Sequence, residues 1–168
     1  MTETVRKAES SDLPEILGVY AQAREFMAQN GNPSQWGDNG YPDEELLDFD
    51  IRLERLYVII RGGRIAASFV LFIGDEPTYR VIRGGAWPNN KPYMTIHRLA
   101  SLTEEHGTAA ACLEYALEIC RKKGLDLRAD THRNNAPMLH ILKKYGFAYC
   151  GEITVGDGTP RMAFQLAV

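Results

Sequence analysis

The stretch Gly107-Thr108-Ala109-Ala110-Ala111 follows a polar loop and opens the clearest helical pattern in the chain. A helix start presents free backbone N–H groups and the positive end of the helix dipole. With only small residues there, a phosphate can approach the backbone, and Thr108 adds a hydroxyl donor. The same residues also suit a blander role, a tight turn at Gly107 and close packing of the alanines. The spacing is neither GxGxxG nor a P-loop, which disfavours those two nucleotide sites. His106 sits beside Gly107, where it can touch a phosphate or face water. His132 follows the end of a strand pattern, at an edge where α/β sites often form, and reads equally as a loop or capping residue.

Elements on both sides must position this corner. Residues 5–8 read as a strand. Ser11 or Asp12 can then cap a helix, with Glu15 placed to answer Asp12 in a capping box. Leu13, Ile16, Leu17, Tyr20, Arg24 and Met27 follow at helical spacing. Residues 30–42 are rich in Gly, Asn and Pro and form a loop that carries Trp36 and Tyr41. A second helix is expected over 43–54. Residues 56–61 and 64–73 are strands, with Gly62-Gly63 as a hairpin turn. Residues 75–92 are irregular, although 80–82 could extend a strand, and 93–100 is a further strand.

The helix over 108–123 carries Ala109, Cys112, Leu113, Ala116, Leu117 and Cys120 as one apolar stripe. Lys122, Lys123 and Gly124 end it. Residues 125–131 form a strand. Asn135 caps the next helix, with Pro137 in its first turn and Met138, Ile141, Leu142 and Tyr145 on its buried face. Residues 147–155 and 161–167 form strands joined at Gly156-Asp157-Gly158. The order β-α-α-β-β-β-α-β-α-β-β predicts one α/β (α+β) domain over residues 1–168, a mixed sheet with helices on its faces.

The composition agrees. The 168 residues are 45% hydrophobic and 24% charged, with a net charge of −3. That is an ordinary globular balance with room for a core. No basic stripe points to nucleic acid. The longest apolar run, near residues 66–73, is far short of the ~20 residues that span a bilayer. The polar start MTETVRKAESSD lacks the apolar stretch of a signal peptide. Cys112, Cys120 and Cys150 are too few and too odd in number for a disulfide framework, and Cys112 and Cys120, on the apolar face of a predicted helix, read as core residues in a reducing, cytoplasmic setting. No CxxC or HExxH spacing points to a metal.

Two motifs and the element order together resemble the GNAT superfamily of acetyl-CoA-dependent N-acetyltransferases. The family's pyrophosphate motif is Arg/Gln-x-x-Gly-x-Gly/Ala. Here Glu104-Glu105-His106-Gly107-Thr108-Ala109 keeps the Gly and the Ala and places Glu104 at the basic or amide position. The family's Asn-x-x-Ala-x-x-x-Tyr-x-x-x-Gly-Phe is matched in register by Asn135, Gly146 and Phe147. Leu142 stands where the family often has the tyrosine that protonates the leaving thiolate. The opening, Val5-Arg6-Lys7-Ala8 followed by Asp12-Leu13-Pro14-Glu15-Ile16, is also similar.

The resemblance implies a mostly antiparallel sheet of about seven strands flanked by about four helices. It implies acetyl-CoA as co-substrate, bound along Leu99, Ser101, Gly107, Thr108, Ala109, Ala110 and Asn135, with the Leu99 N–H donating to the thioester carbonyl. It implies direct transfer to an amine that must first lose a proton, since a lysine-like amine has a pKa of ~10.4. His97 lies on the central strand and is the first candidate base, or else a packed core residue. With leucine at position 142, Tyr145, Tyr149 or Cys150 can take the acid's role, or the thiolate, with a pKa of ~8.5, can leave unprotonated. Trp36 and Tyr41, with Trp87, lie in regions that shape the family's acceptor pocket, and Asp38, Asp43, Glu44 and Glu45 could steer a cationic amine. Homodimers are common in the family. A non-catalytic acyl-CoA-binding or regulatory domain of the same fold, or a partner-binding module without CoA, is the competing reading.

Overall fold

Gly62 and Gly63 both take positive φ, 56° and 78°, and turn one extended segment back on the next. Only glycine adopts that pair of conformations without strain, and it suits the twist of a two-residue hairpin. The strands it joins are β2, Leu56–Arg61, and β3, Arg64–Ile73, after β1, Glu3–Lys7, and the helices α1, Leu13–Gln29, and α2, Glu44–Arg52. The chain continues with β4 (Tyr93–Ser101), α3 (Thr108–Lys123), β5 (Asp126–Thr131), α4 (Ala136–Lys144), β6 (Ala148–Thr154) and β7 (Pro160–Leu166). The computed structural model describes residues 2–37 and 40–168. Asp38, one of the expected steering carboxylates, lies outside them.

The seven strands form one sheet in the order β1-β2-β3-β4-β5-β7-β6. Strands β1 and β2, β2 and β3, β5 and β7, and β6 and β7 pair antiparallel, whereas β4 and β5 are parallel. The β4–β5 pairing covers only Tyr93–Thr95 against Asp126–Arg128, so it stops before His97. With the four helices, this is the architecture expected from the sequence. Among the described residues, no helix is long and apolar enough to cross a membrane.

The chain divides into two compact units, Met1–Leu71 with Arg98–Tyr115, and Phe72–His97 with Ala116–Val168. In the first, Ile16, Val19 and Tyr20 of α1 and Leu47 and Ile51 of α2 pack with Leu56, Val58, Ile65 and Val70. In the second, Tyr79, Ile153 and Ala163 form a core with Ile82, Trp87, Tyr93 and Val155 against it.

Three local expectations change. The first helix is entered through a short 3-10 turn, Ser10–Asp12, and the Asp12 carboxylate accepts the Glu9 N–H at 2.7 Å. Glu15 is therefore not the partner of Asp12; its carboxylate accepts the N–H of Ile65 at 2.7 Å. Residues 80–82 do not extend a strand, because Pro77–Tyr79 coil into a 3-10 turn capped by Glu76. Only Arg83 bridges to a strand residue, Glu152 of β6. Close approach there needs glycine: a Cβ on Gly85 would overlap the Cys150 carbonyl.

Candidate active site

The corner at Gly107, expected from the sequence to suit a phosphate, lies in the first unit. Gly107 has φ 76° and open space where a Cβ would be. The N–H of Ala111 already bonds the Gly107 carbonyl at 3.1 Å. Helix geometry therefore leaves the N–H groups of Thr108, Ala109 and Ala110 without intrahelical acceptors. Thr108 is buried, Ala109 and Ala110 are half-buried and Gly107 is exposed. Glu104, the departure from the family motif, does not stand alone. Arg64 donates to its carboxylate at 2.9 Å and reaches Glu105 at 3.4 Å, while Arg61 bonds Glu105 at 3.3 Å and the His106 carbonyl at 2.7 Å. The carboxylates of the loop are thus matched by two guanidinium groups. His106 itself is exposed.

Strand β4 does not run straight. Arg98 has φ 51°, left-handed backbone in the middle of a strand, followed by Leu99 and Ser101, which are half-buried. The Arg98 carbonyl accepts the Tyr20 hydroxyl at 2.6 Å. Its guanidinium bonds Asp50 at 2.8 and 3.0 Å and the Tyr41 hydroxyl at 3.1 Å. Asp50 is fully buried and also accepts from Arg55 at 2.7 Å. Burial lowers the tendency of Arg98 to stay charged, but Tyr41 and Asp50 outweigh it and raise its pKa. Trp36 is half-buried against Tyr20, ring centres 5.6 Å apart, and Tyr41 is 39% exposed. The two expected acceptor-loop aromatics therefore share the neighbours of the β4 kink.

The second unit holds His97. Its Nε2 lies 3.0 Å from Oε2 of Glu76. A carboxylate only accepts, so Nε2 carries the hydrogen and, in the neutral ring, Nδ1 keeps the free lone pair. Nδ1 faces Oδ1 of Asp130 at 4.0 Å, too far for a hydrogen bond. That same oxygen takes the Tyr79 hydroxyl at 2.6 Å. Glu76 is fixed in turn by Thr78, whose N–H and hydroxyl reach its other oxygen at 3.2 and 3.0 Å. Burial tends to raise the Glu76 pKa, yet the hydrogen bond and charge of His97, with Thr78, hold it down at about 2. Burial, with the charge and hydrogen bond of Asp130, pushes the Tyr79 phenol well above its ordinary range. An imidazole with one nitrogen anchored and the other free is the arrangement of a general base.

Other expected residues are placed elsewhere. The Asn135 side chain accepts the Met138 N–H at 3.3 Å as the cap of α4. Leu142 is fully buried in α4 and Tyr145 ends that helix, half-buried. Tyr149 is exposed and Cys150 is buried. His132 is 9% exposed, and its Nδ1 accepts the Asn134 N–H at 3.1 Å, a turn-closing role. Burial, with the charges of Arg161 and Arg133, lowers its pKa. Trp87 donates to the Tyr79 carbonyl at 2.8 Å and stacks 4.0 Å from the Arg128 guanidinium, so it belongs to the packing of this unit.

Glu76, Tyr79, Asp130, Asp50 and Arg98 were not singled out from sequence. Two signals were there to be read. Glu76-Pro77-Thr78 has the form of a capped turn start, an acidic residue just before proline. Asp126, Arg128 and Asp130 alternate with Leu127 and Ala129 along β5, and a charged face on a strand that is nearly all buried calls for partners.

Residues 20–147 match the Acetyltransferase (GNAT) family, and the chain belongs to that family as an N-acetyltransferase. A GNAT-family acetyltransferase from Streptococcus agalactiae is 30% identical with a TM-score of 0.85, covering 99% of this chain and 95% of its own. One from Listeria monocytogenes shares the fold at 15% identity, TM-score 0.73, with 99% and 95% covered. The ribosomal-protein-alanine N-acetyltransferase of Brucella melitensis shares it at 17% identity, TM-score 0.65, with 98% and 99% covered. No curated protein sequence matches the chain.

Proposed function

We propose that this enzyme moves an acetyl group from acetyl-CoA to a primary amine by direct attack of the amine on the thioester, as a single domain over residues 1–168. The observation that carries the reading is the His97 ring, held by Glu76 at Nε2 and open at Nδ1. Nδ1 takes a proton from the acceptor's ammonium, directly or through one water, and the neutral amine so formed attacks the thioester carbonyl. The protonated ring then has a carboxylate oxygen near each nitrogen.

The corner at Gly107 fits the pyrophosphate of acetyl-CoA. It offers the N–H groups of Thr108, Ala109 and Ala110, and the Arg64 contact answers the charge of Glu104. The Leu99 N–H is assigned to the acyl carbonyl and Ser101 to the pantetheine stretch, both following Arg98 on the same strand. Asn135 supports the CoA side by capping α4. With Leu142 buried, Tyr145 is the assigned proton donor to the leaving sulfur. Trp36 and Tyr41 are assigned to the acceptor. The acceptor is proposed only as an amine; one fold neighbour is named a ribosomal-protein-alanine N-acetyltransferase.

Two measurements test the reading together. Acetyl-CoA at a hundred times Kd should stabilise the protein by ~2.7 kcal/mol in a thermal melt. Thiol release from acetyl-CoA should then depend on an added amine. A melt unmoved by millimolar acetyl-CoA or CoA would overturn it.

A further inference from the structure

Arg98 and Glu54 are the two non-glycine residues with positive φ among the described residues. Left-handed backbone is disfavoured for a side chain with a Cβ, so surrounding structure must hold Arg98 there. Its carbonyl takes the Tyr20 hydroxyl at 2.6 Å, and Tyr20 is itself fully buried. Its guanidinium is fastened at two nitrogens to Asp50, which no solvent reaches. Its third nitrogen donates to Tyr41, in the loop that carries the acceptor aromatics. Asp50 is fixed from the other side by Arg55. Five residues from the first helix, the loop, the second helix, its exit and the central strand thus close on one backbone conformation. If only the kink were needed, glycine would supply it with no buried charge.

We propose that Arg98 is a positioning residue for acyl transfer: its Asp50-bound side chain fixes the β4 kink, and with it the direction of the Leu99 N–H toward the acyl carbonyl. The inference rests on the acetyltransferase reading above. The Tyr41 contact adds that the acceptor loop is tied to the same kink, so that the amine and the carbonyl it attacks are aligned by one guanidinium. A donor displaced from the developing oxyanion loses its effect in the transition state while ground-state binding persists.

The variant that separates side chain from backbone is Arg98→Gly, which accepts positive φ but cannot bond Asp50. We expect a kcat at least tenfold lower, unchanged affinity for CoA by calorimetry, and partial recovery in Arg98→Lys, which can still reach Asp50. Tyr20→Phe removes the other anchor with a smaller perturbation and should lower kcat a few-fold in the same pattern. If Arg98→Gly does not fold, Tyr20→Phe decides. Wild-type kcat in these variants overturns the positioning role, and so does a loss confined to CoA affinity. Failure of the wild-type chain to transfer acetyl at all would instead count against the acetyltransferase reading. The kink is then still read by amide exchange at Leu99, where equal exchange in wild type and Arg98→Gly overturns the proposal.

Discussion

Nδ1 of His97 stands 4.0 Å from Oδ1 of Asp130, while Tyr79 occupies that same oxygen at 2.6 Å. With the hydrogen on Nε2, Nδ1 presents a lone pair that a carboxylate cannot bond, so the Asp130 oxygen takes the Tyr79 hydroxyl and Nδ1 is left as an acceptor. Replacing His97, the proposed base, should show first in turnover. We expect His97→Gln to lower kcat by about 10²- to 10⁴-fold, the usual span for general-base catalysis. CoA binding should hold, since the phosphate corner lies in other residues. Steady-state thiol release beside calorimetry separates the two. A kcat within a few-fold of wild type would remove His97 from the chemistry.

Acid should weaken the fold through Glu76. Its folded pKa is depressed to about 2, below its ordinary value of 4.5. A depressed carboxylate contributes stability that is full above the unfolded pKa and is lost as pH falls through the folded one. The window therefore runs from about pH 4.5 down to about pH 2. Glu76→Gln should show a smaller drop in Tm between pH 5 and pH 2.5 than wild type; equal drops would mean that the carboxylate gains nothing from folding.

Asp50 holds two arginines from a position with no solvent exposure. Removing one member of a buried ion pair leaves an uncompensated charge, at a cost of about 3–5 kcal/mol. Asp50→Ala should lose that much in urea unfolding at neutral pH. A loss under 1 kcal/mol would place the pair with ordinary surface salt bridges.

Glu104 is exposed in the loop that leads to α3, and its carboxylate accepts from Arg64. Glu104→Gln removes a negative charge near the assigned pyrophosphate and leaves Arg64 paired with Glu105 alone among carboxylates. CoA affinity should rise about two- to five-fold, the scale of an exposed charge contact. The gain should shrink at high salt, because exposed charges are screened. Binding isotherms at two ionic strengths test both parts, and weaker binding by the variant would reverse the sign.

The three cysteines should be inert in the native protein. Burial pushes the Cys120 thiol up to about 11 and raises those of Cys112 and Cys150 as well. Reaction goes through the thiolate. Iodoacetamide at pH 7.5 should leave the folded chain unlabelled by intact mass and add three groups once urea is present.

Local patterns carried much of the fold. Val, Ile and Phe on either side of Gly62-Gly63 gave β2 and β3 their bounds, and the Ala109–Cys120 stripe gave α3. They gave less where a partner is distant. Glu15 looked like the second half of a cap, since Asp12 is three residues away, yet its partner Ile65 is 50 positions on. Asp50 follows Asp43, Glu44 and Glu45 with nothing local to mark it for burial, and only tertiary structure brings Arg98, 48 positions on, to it. In the candidate site, His97 was legible from residue type and strand position. Its anchor Glu76 was hidden in an irregular stretch, and Asp130 was masked by a strand read for its apolar residues. Both contacts depend on how the chain returns, which no spacing encodes.

Arg61 and Arg64 flank the Gly62-Gly63 turn and grip the loop that ends at Gly107, although Arg64 and Glu104 are 40 positions apart in sequence. The hairpin and the loop proposed to hold the cofactor are therefore one part for engineering purposes. A residue inserted in the turn would shift one arginine out of step with the other and unsettle a loop it never touches. A phosphate loop borrowed from a relative would arrive without its braces unless the hairpin tip came with it.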